Sequence, residues 1–223
     1  MEIKVIDTED GSKTLFSDHF QSNYHSSNGA VQESGHIFIK SGLEYYHKLH
    51  KKDKYKILEF GFGTGLNMLL TLDYAMNNDI EIEYFGLEKY LLNIDVIKKI
   101  DYCEILNCEV FREYYFNIFI GSFAGSSYSD KFHFTGLLAD FIEFESDEKF
   151  DLIYFDPFGP SEHPEVWQLP FLKIIPSIIF SGGVLTTFSV KGSFRRDLLS
   201  LDFNVEKIEG PPGKREITRA TKK

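Results

Sequence analysis

The sequence predicts a doubly wound α/β fold, with a mostly parallel seven-stranded sheet, a C-terminal antiparallel strand pair and a short N-terminal extension. Three observations predict it. β-rich apolar runs alternate with amphipathic runs from residue 55 onward, a glycine-rich turn joins the first strand to the first helix, and a carboxylate closes the second strand. At 223 residues, with 43% apolar side chains, 22 Phe and 12 Tyr, the chain has material for one sizeable core.

Residues 1–43 mix Ser, Asn, Gly and His with isolated hydrophobics and show no sustained helical period, so they read as a hairpin plus cap, with 44–223 as the body. YKILEF, from Tyr55, has the nearly continuous apolar character of a strand buried on both faces. A helix is expected from Leu66 to Met76, a second strand over 82–88, and amphipathic helices over 91–100 and 104–119. KFHFTGLL and FDLIYFD give the third and fourth strands, the latter over 150–156. PEVWQLPFLKIIPSIIF reads as a helix broken near Pro170 and Pro176. GGVLTTFS is a fifth strand, SFRRDLLSLD a short helix, and FNVEKIEG with KREITRA the closing antiparallel pair.

Composition narrows the function classes. A formal net charge of -10 argues against a general nucleic-acid coat, because phosphate binding rests on Lys and Arg. The imbalance is uneven: residues 191–223 hold nine Lys/Arg against five Asp/Glu, whereas the first 190 hold 15 against 29. A basic end on an acidic body suits a polyanionic partner touched locally. The start, MEIKVIDTEDGSK, lacks the apolar core of a signal peptide, and no run approaches the roughly 20 apolar residues of a spanning helix, so a cytoplasmic location without membrane contact is expected. Cys103 and Cys108, five apart in a helix-like run, should point to different sides and stay reduced. The seven histidines have no Cys/His ligand spacing, so no metal is expected.

The sharpest motif runs from Glu59 through Gly61, Gly63 and Gly65 to Asn67, where the first strand hands over to the first helix. Glycines there permit close backbone approach, and a helix N-terminus offers unpaired N–H groups to a nucleotide-like cofactor. Glu88, 23 positions after Gly65, can accept hydrogen bonds from both ribose hydroxyls of an adenosine. In neither register does the turn carry the third glycine of the dinucleotide fingerprint, which disfavours NAD. Asp140, after the third strand, is placed to bond the adenine amino group. Asp156 opens the rigid turn Asp156-Pro157-Phe158-Gly159-Pro160 at the carboxyl edge of the sheet, where such folds bind their ligands.

The form E-x-G-x-G-x-G resembles motif I of class I methyltransferases of the Rossmann-like type, whose cofactor is S-adenosylmethionine. The Asp-Pro-Phe turn resembles those with which related enzymes methylate exocyclic or aliphatic nitrogens. Nearly the whole chain is similar to the tRNA wobble-uridine methylaminomethyl methyltransferases, called MnmD when free-standing and found fused to an oxidase in MnmC. The resembling segments are DGSKTLF, HFQSNYHSSNGAVQESGHIFIKSGL, ILEFGFGTGLN, FGLEKY, YFDPFGPSEHPEVW and GGVLTTFSVKGSFRRDLLSLDFNVEKIEGPPGKREIT. One departure is Pro157, where the family frequently carries Ala.

The resemblance implies methyl transfer to the primary amine of 5-aminomethyl-2-thiouridine in a tRNA anticodon loop, with another protein supplying the amine. Asp156 is the expected catalytic residue, orienting the amine and accepting its proton. Phe158 and Trp167 are candidates to stack on the base, and Lys191, Arg195, Arg196, Lys214 and Arg215 to contact phosphates. An aminopropyltransferase on the same fold would need more carboxylates than the single Asp of this turn. Another methyltransferase of small molecules or RNA, or a module binding cofactor or RNA without turnover, would share the glycine turn but not the whole-chain resemblance.

Overall fold

The computed structural model describes residues 2–223. β1 (Ile3–Asp7), β2 (Lys13–Ser17) and β3 (Ser22–Asn23) form a small antiparallel sheet. α1 (Ala30–Ser34) then continues through a π-helical stretch, Gly35–Glu44, into α2 (Tyr45–His50). The boundary expected at residues 43 and 44 therefore falls inside a helical segment. Bonding from i to i+5 shifts the apolar positions away from 3.6 spacing, which explains why no helical period is visible in the sequence. Ile37, Phe38, Leu43 and Tyr46 are nonetheless fully buried.

The body follows in order: β4 (Lys54–Phe60), α3 (Leu66–Asn78), β5 (Glu81–Glu88), α4 (Ile94–Ile100), α5 (Tyr102–Ile105), α6 (Arg112–Asn117), β6 (Ser126–Ser129) and β7 (Phe132–Leu138). Then come β8 (Phe150–Phe155), α7 (Leu169–Leu172), α8 (Ile175–Ile178), β9 (Ile179–Thr187), α9 (Gly192–Ser200), β10 (Phe203–Glu209) and β11 (Glu216–Lys222). The sheet order is β10-β11-β9-β8-β4-β5-β7-β6. β4, β5, β7, β8 and β9 are parallel, and β10 and β11 close one edge as an antiparallel pair.

The sheet has eight strands rather than the expected seven. The addition, β6, is an antiparallel edge strand whose sequence SSYS carries almost no apolar signal. The helix expected over 104–119 is broken at Asn107, which has a positive φ. The turn at Asn107 lets the Cys108 N–H donate to the Cys103 carbonyl at 3.0 Å, so continuous-helix spacing does not govern where these buried, free cysteines point. Pro170 and Pro176 sit in the first turns of α7 and α8, where a missing N–H costs nothing, so they start short helices rather than kink a long one.

The sheet separates two apolar layers. Tyr55 and Ile57 of β4 join the larger cluster with α3 and the π-helical stretch, while Leu58 and Phe60 point into the other, with Trp167, Ile175 and Phe194. All six residues of β8 are buried, as a central parallel strand requires.

Candidate active site

The chain leaves β4 toward β5 and β7, then returns through β8 on the other flank of β4, so the connections that follow these two paired central strands run off in opposite directions. Such a switch point opens a crevice. Gly61 and Phe62 there donate to the Leu87 carbonyl at 3.0 and 3.1 Å, folding the turn over the end of β5. Gly61 has φ of +89°, and a Cβ on it would lie 2.5 Å from the Asp156 carbonyl oxygen. Only glycine lets the two strand ends approach so closely.

Two carboxylates are anchored beside this turn. Glu88 accepts the Gly63 N–H at 2.9 Å and the Tyr90 N–H at 2.8 Å. Burial raises its pKa while these bonds lower it. Asn67 Nδ2 donates to Asp156 at 2.9 Å and to Glu59 at 2.7 Å, and Glu59 also accepts the Tyr84 hydroxyl at 2.7 Å. Burial pushes the carboxyls of both Asp156 and Glu59 well above the usual carboxylate range.

A cavity of about 670 Å³ covers the turn, and Gly61, Gly63, Asn67, Glu88, Asp140, Asp156, Phe158 and Lys214 all line it. Asp140 pairs with Lys89 at 2.6 Å, which holds its carboxyl below the ordinary range. Phe158 stacks on Phe20, with ring centroids 4.0 Å apart, and meets Tyr24 edge-on at 5.0 Å.

Other expected residues lie elsewhere. Glu59 is wholly buried behind Asn67, and Gly65 caps α3 at φ +73°. Trp167 is 1% exposed, so it is not available to stack on a base; its indole donates to the Phe158 carbonyl at 2.8 Å and props the turn from within. Arg195 is 8% exposed and is likewise a correction. Its guanidinium donates to Thr218 Oγ1 at 2.9 Å, and to the Ile217 carbonyl and the Glu216 carboxylate at 3.3 Å each, tying α9 to β11 rather than facing a phosphate. Lys214 turns inward to Glu33 at 2.6 Å. Lys191, Arg196 and Arg215 are exposed and make no ion pair among the described residues.

Sequence reasoning missed the contribution of the N-terminal segment, whose Phe20, Tyr24, His25 and Glu33 supply one part of the cavity wall. The only signal was the resemblance across residues 19–43. Burial pushes the His25 imidazole down to about 4, so it is neutral near pH 7.

The lining suits S-adenosylmethionine on the structure's own terms. Asn67 Oδ1 and Thr64 Oγ1 are buried polar atoms without a hydrogen-bond partner among the described residues, and both residues line the cavity beside the glycine cradle. They fit the ammonium and carboxylate of a methionine moiety, and Glu88 fits a ribose diol. Among the described residues no cluster of three or more His, Cys, Asp or Glu is arranged to hold a metal, and no helix is long and apolar enough to cross a membrane.

Residues 122–223 match the model of a family described as S-adenosyl-L-methionine-dependent methyltransferase. The chain is 32% identical, over 92% of its length, to the tRNA 5-methylaminomethyl-2-thiouridine biosynthesis bifunctional protein MnmC of Leptospira interrogans, and spans only 33% of that protein. It is 30% identical, over 98% of its length, to an uncharacterized protein of Methanocaldococcus jannaschii, of which it spans 59%. The crystal structure of MnmC2 from Aquifex aeolicus superposes with a TM-score of 0.79 at 29% identity, over 99% of this chain and 70% of that one. Together with this fold and this cavity, the likenesses set the chain beside S-adenosyl-L-methionine-dependent methyltransferases: its residues 122–223 match that family's model, and nearly its whole length is similar to MnmC2 and to the matching third of MnmC.

Proposed function

We propose that this chain methylates the aminomethyl nitrogen of 5-aminomethyl-2-thiouridine at the tRNA wobble position, in the cytoplasm, on an amine that a separate activity generates. The observation that carries the reading is Asp156, a carboxyl on a rigid turn in the same cavity as the glycine cradle and Glu88. The printed name of the Leptospira relative, which includes 5-methylaminomethyl-2-thiouridine biosynthesis, supplies the substrate class.

In this reading Gly61, Gly63, Thr64 and Asn67 hold the methionine end of the cofactor, Glu88 its ribose and Asp140 its adenine. When bound, that cofactor supplies an electrophilic methyl group on a positively charged sulfur. The chain's own task is alignment and one proton transfer. An alkyl amine with a reference pKa of about 10.4 arrives protonated and must become neutral to attack. Asp156 takes that proton, and burial, by raising its pKa, makes it a better base than an ordinary surface carboxylate. Asn67 fixes the carboxylate through Nδ2. The stacked Phe158 and Phe20 offer flat apolar faces to a base splayed out of the anticodon loop.

The deciding experiment is methyl transfer from tritiated cofactor to tRNA bearing 5-aminomethyl-2-thiouridine, followed by nucleoside mass spectrometry. A methylaminomethyl product is expected. Label on another nucleoside, or none, overturns the assignment.

A further inference from the structure

Glu33 of α1 and Lys214 of the β10–β11 hairpin meet in the wall of the cavity that contains Asp156. Glu33 Oε2 accepts the Ser26 N–H at 2.8 Å, which fixes the carboxylate. Its Oε1 lies 2.6 Å from Lys214 Nζ, with the two side chains only 10% and 29% exposed. That oxygen nevertheless receives no directed hydrogen bond among the described residues, so charge holds the ammonium there while a lone pair stays open. Nζ also stands 4.5 Å from the centroid of the Phe188 ring. A buried carboxylate oxygen beside an aromatic face is a receptor for an alkylammonium ion.

Lys214 reaches this receptor from a tight turn. Its N–H donates to the Pro211 carbonyl at 2.9 Å, and Gly213, at φ +84°, packs so closely on Asn28 that a Cβ would lie 1.9 Å from Asn28 Nδ2. The backbone is thus fixed, while the four-carbon stem can swing out to water with its charge.

We propose that Glu33 is the carboxylate that receives the substrate's ammonium, and that Lys214 occupies its place in the free enzyme. This rests on the methyl acceptor being an alkyl amine, as proposed above. An aminomethyl group arriving protonated carries the same charge and donors as the lysine terminus. Exchanging one ammonium for the other never leaves Glu33 buried without a counter-charge, the situation that makes breaking a buried pair costly. Asp156, whose electrostatic surroundings include both Glu33 and Lys214, then takes one proton from nitrogen to a carboxylate oxygen, and the neutral amine keeps its lone pair. A carboxylate at this position selects an amine-bearing uridine over an unmodified one, which offers no cation.

The test is the binding preference of the full chain, loaded with S-adenosylhomocysteine, for tRNA bearing 5-aminomethyl-2-thiouridine over the same tRNA with 2-thiouridine. Glu33→Gln keeps an acceptor for Ser26, and an unchanged affinity for the cofactor product in calorimetry verifies its fold. It should reduce the preference on the order of ten-fold, and Glu33→Asp should restore part of it. Lys214→Met should sharpen the preference, because the stand-in no longer competes. Full preference in Glu33→Gln, or weaker binding of both tRNAs by Lys214→Met with a smaller salt slope, overturns the proposal; the second result makes Lys214 a phosphate contact. Failure of the wild type to methylate either tRNA counts against the proposed function instead, and the two are read separately.

Discussion

Asp156 answers two opposed demands, because the burial that raises its pKa also makes its ionised form costly to the fold. A carboxyl whose folded pKa is raised stabilises the native state fully below the unfolded value, near 3.8, and loses that contribution as pH rises through the folded value. Asp156→Asn should therefore abolish most methyl transfer, by about 100-fold or more. The same substitution should raise the melting temperature of the ligand-free protein at pH 8, by roughly 2–4 °C if it relieves ~1 kcal/mol. At pH 5 the gain should be smaller, since a carboxyl with a raised pKa takes up its proton sooner as pH falls. Activity near the wild-type level, or the same thermal shift at both pH values, contradicts this role. Glu88→Ala should weaken cofactor binding in calorimetry about ten-fold or more, and unchanged affinity removes Glu88 from the site. Both positions were legible because each stands at the end of an apolar strand at the carboxyl edge of the sheet, Glu88 also at the offset from the glycine turn that an adenosine-binding carboxylate takes. Glu33 and His25 were not, since a polar N-terminal stretch has no period that marks which side chains turn inward.

Elements whose burial is symmetric or one-sided declare themselves, as β8 does with five apolar or aromatic residues among its six buried positions and α3 with its inward Leu66, Leu69 and Leu72. The helical segment from Ala30 to His50 hid behind i→i+5 spacing and its glycines and serines, and β6 behind its serines. Arg195 shows the same limit in a basic helix, where charge alone does not distinguish a phosphate contact from a clamp. Its guanidinium bonds join α9 to β11. Arg195→Met should remove the donors to Thr218 Oγ1, the Ile217 carbonyl and the Glu216 carboxylate, leaving the Thr218 hydroxyl only its bond to the Ser189 carbonyl, and cost about 2 kcal/mol, a fall of roughly 4–8 °C in melting temperature. The salt dependence of tRNA binding should stay as in the wild type. A stable variant with a reduced salt slope would reassign this arginine to the nucleic-acid face.

Across the whole molecule charge is uneven, and under the proposed function that unevenness lets a polyanion touch one region while the rest repels it. The net charge of -10 combines an acidic body with a basic end, and part of that end is spent internally: Arg219 on Glu206, Lys222 and Lys223 on Asp202, and Lys214 on Glu33. Lys191, Arg196 and Arg215, like Lys207, remain exposed without ion pairs among the described residues, and under the proposed function the first three are the candidate cations to release counterions from a tRNA backbone. Replacing all three by Ala should weaken binding of amine-bearing and unmodified tRNA alike, because phosphate contacts carry no base information. On a plot of log affinity against log salt, the slope should shrink by about 0.7–0.9 for each phosphate that is no longer neutralised, hence by roughly two units for the triple variant. The acidic body makes the contrast sharper, since its 29 Asp/Glu against 15 Lys/Arg repel the phosphates elsewhere. Cofactor affinity and melting temperature should stay within error, which separates an electrostatic footprint from damage to the fold. An unchanged salt slope would place the tRNA on another face, and methyl transfer abolished at saturating tRNA would mean that these side chains position the substrate as well as attract it.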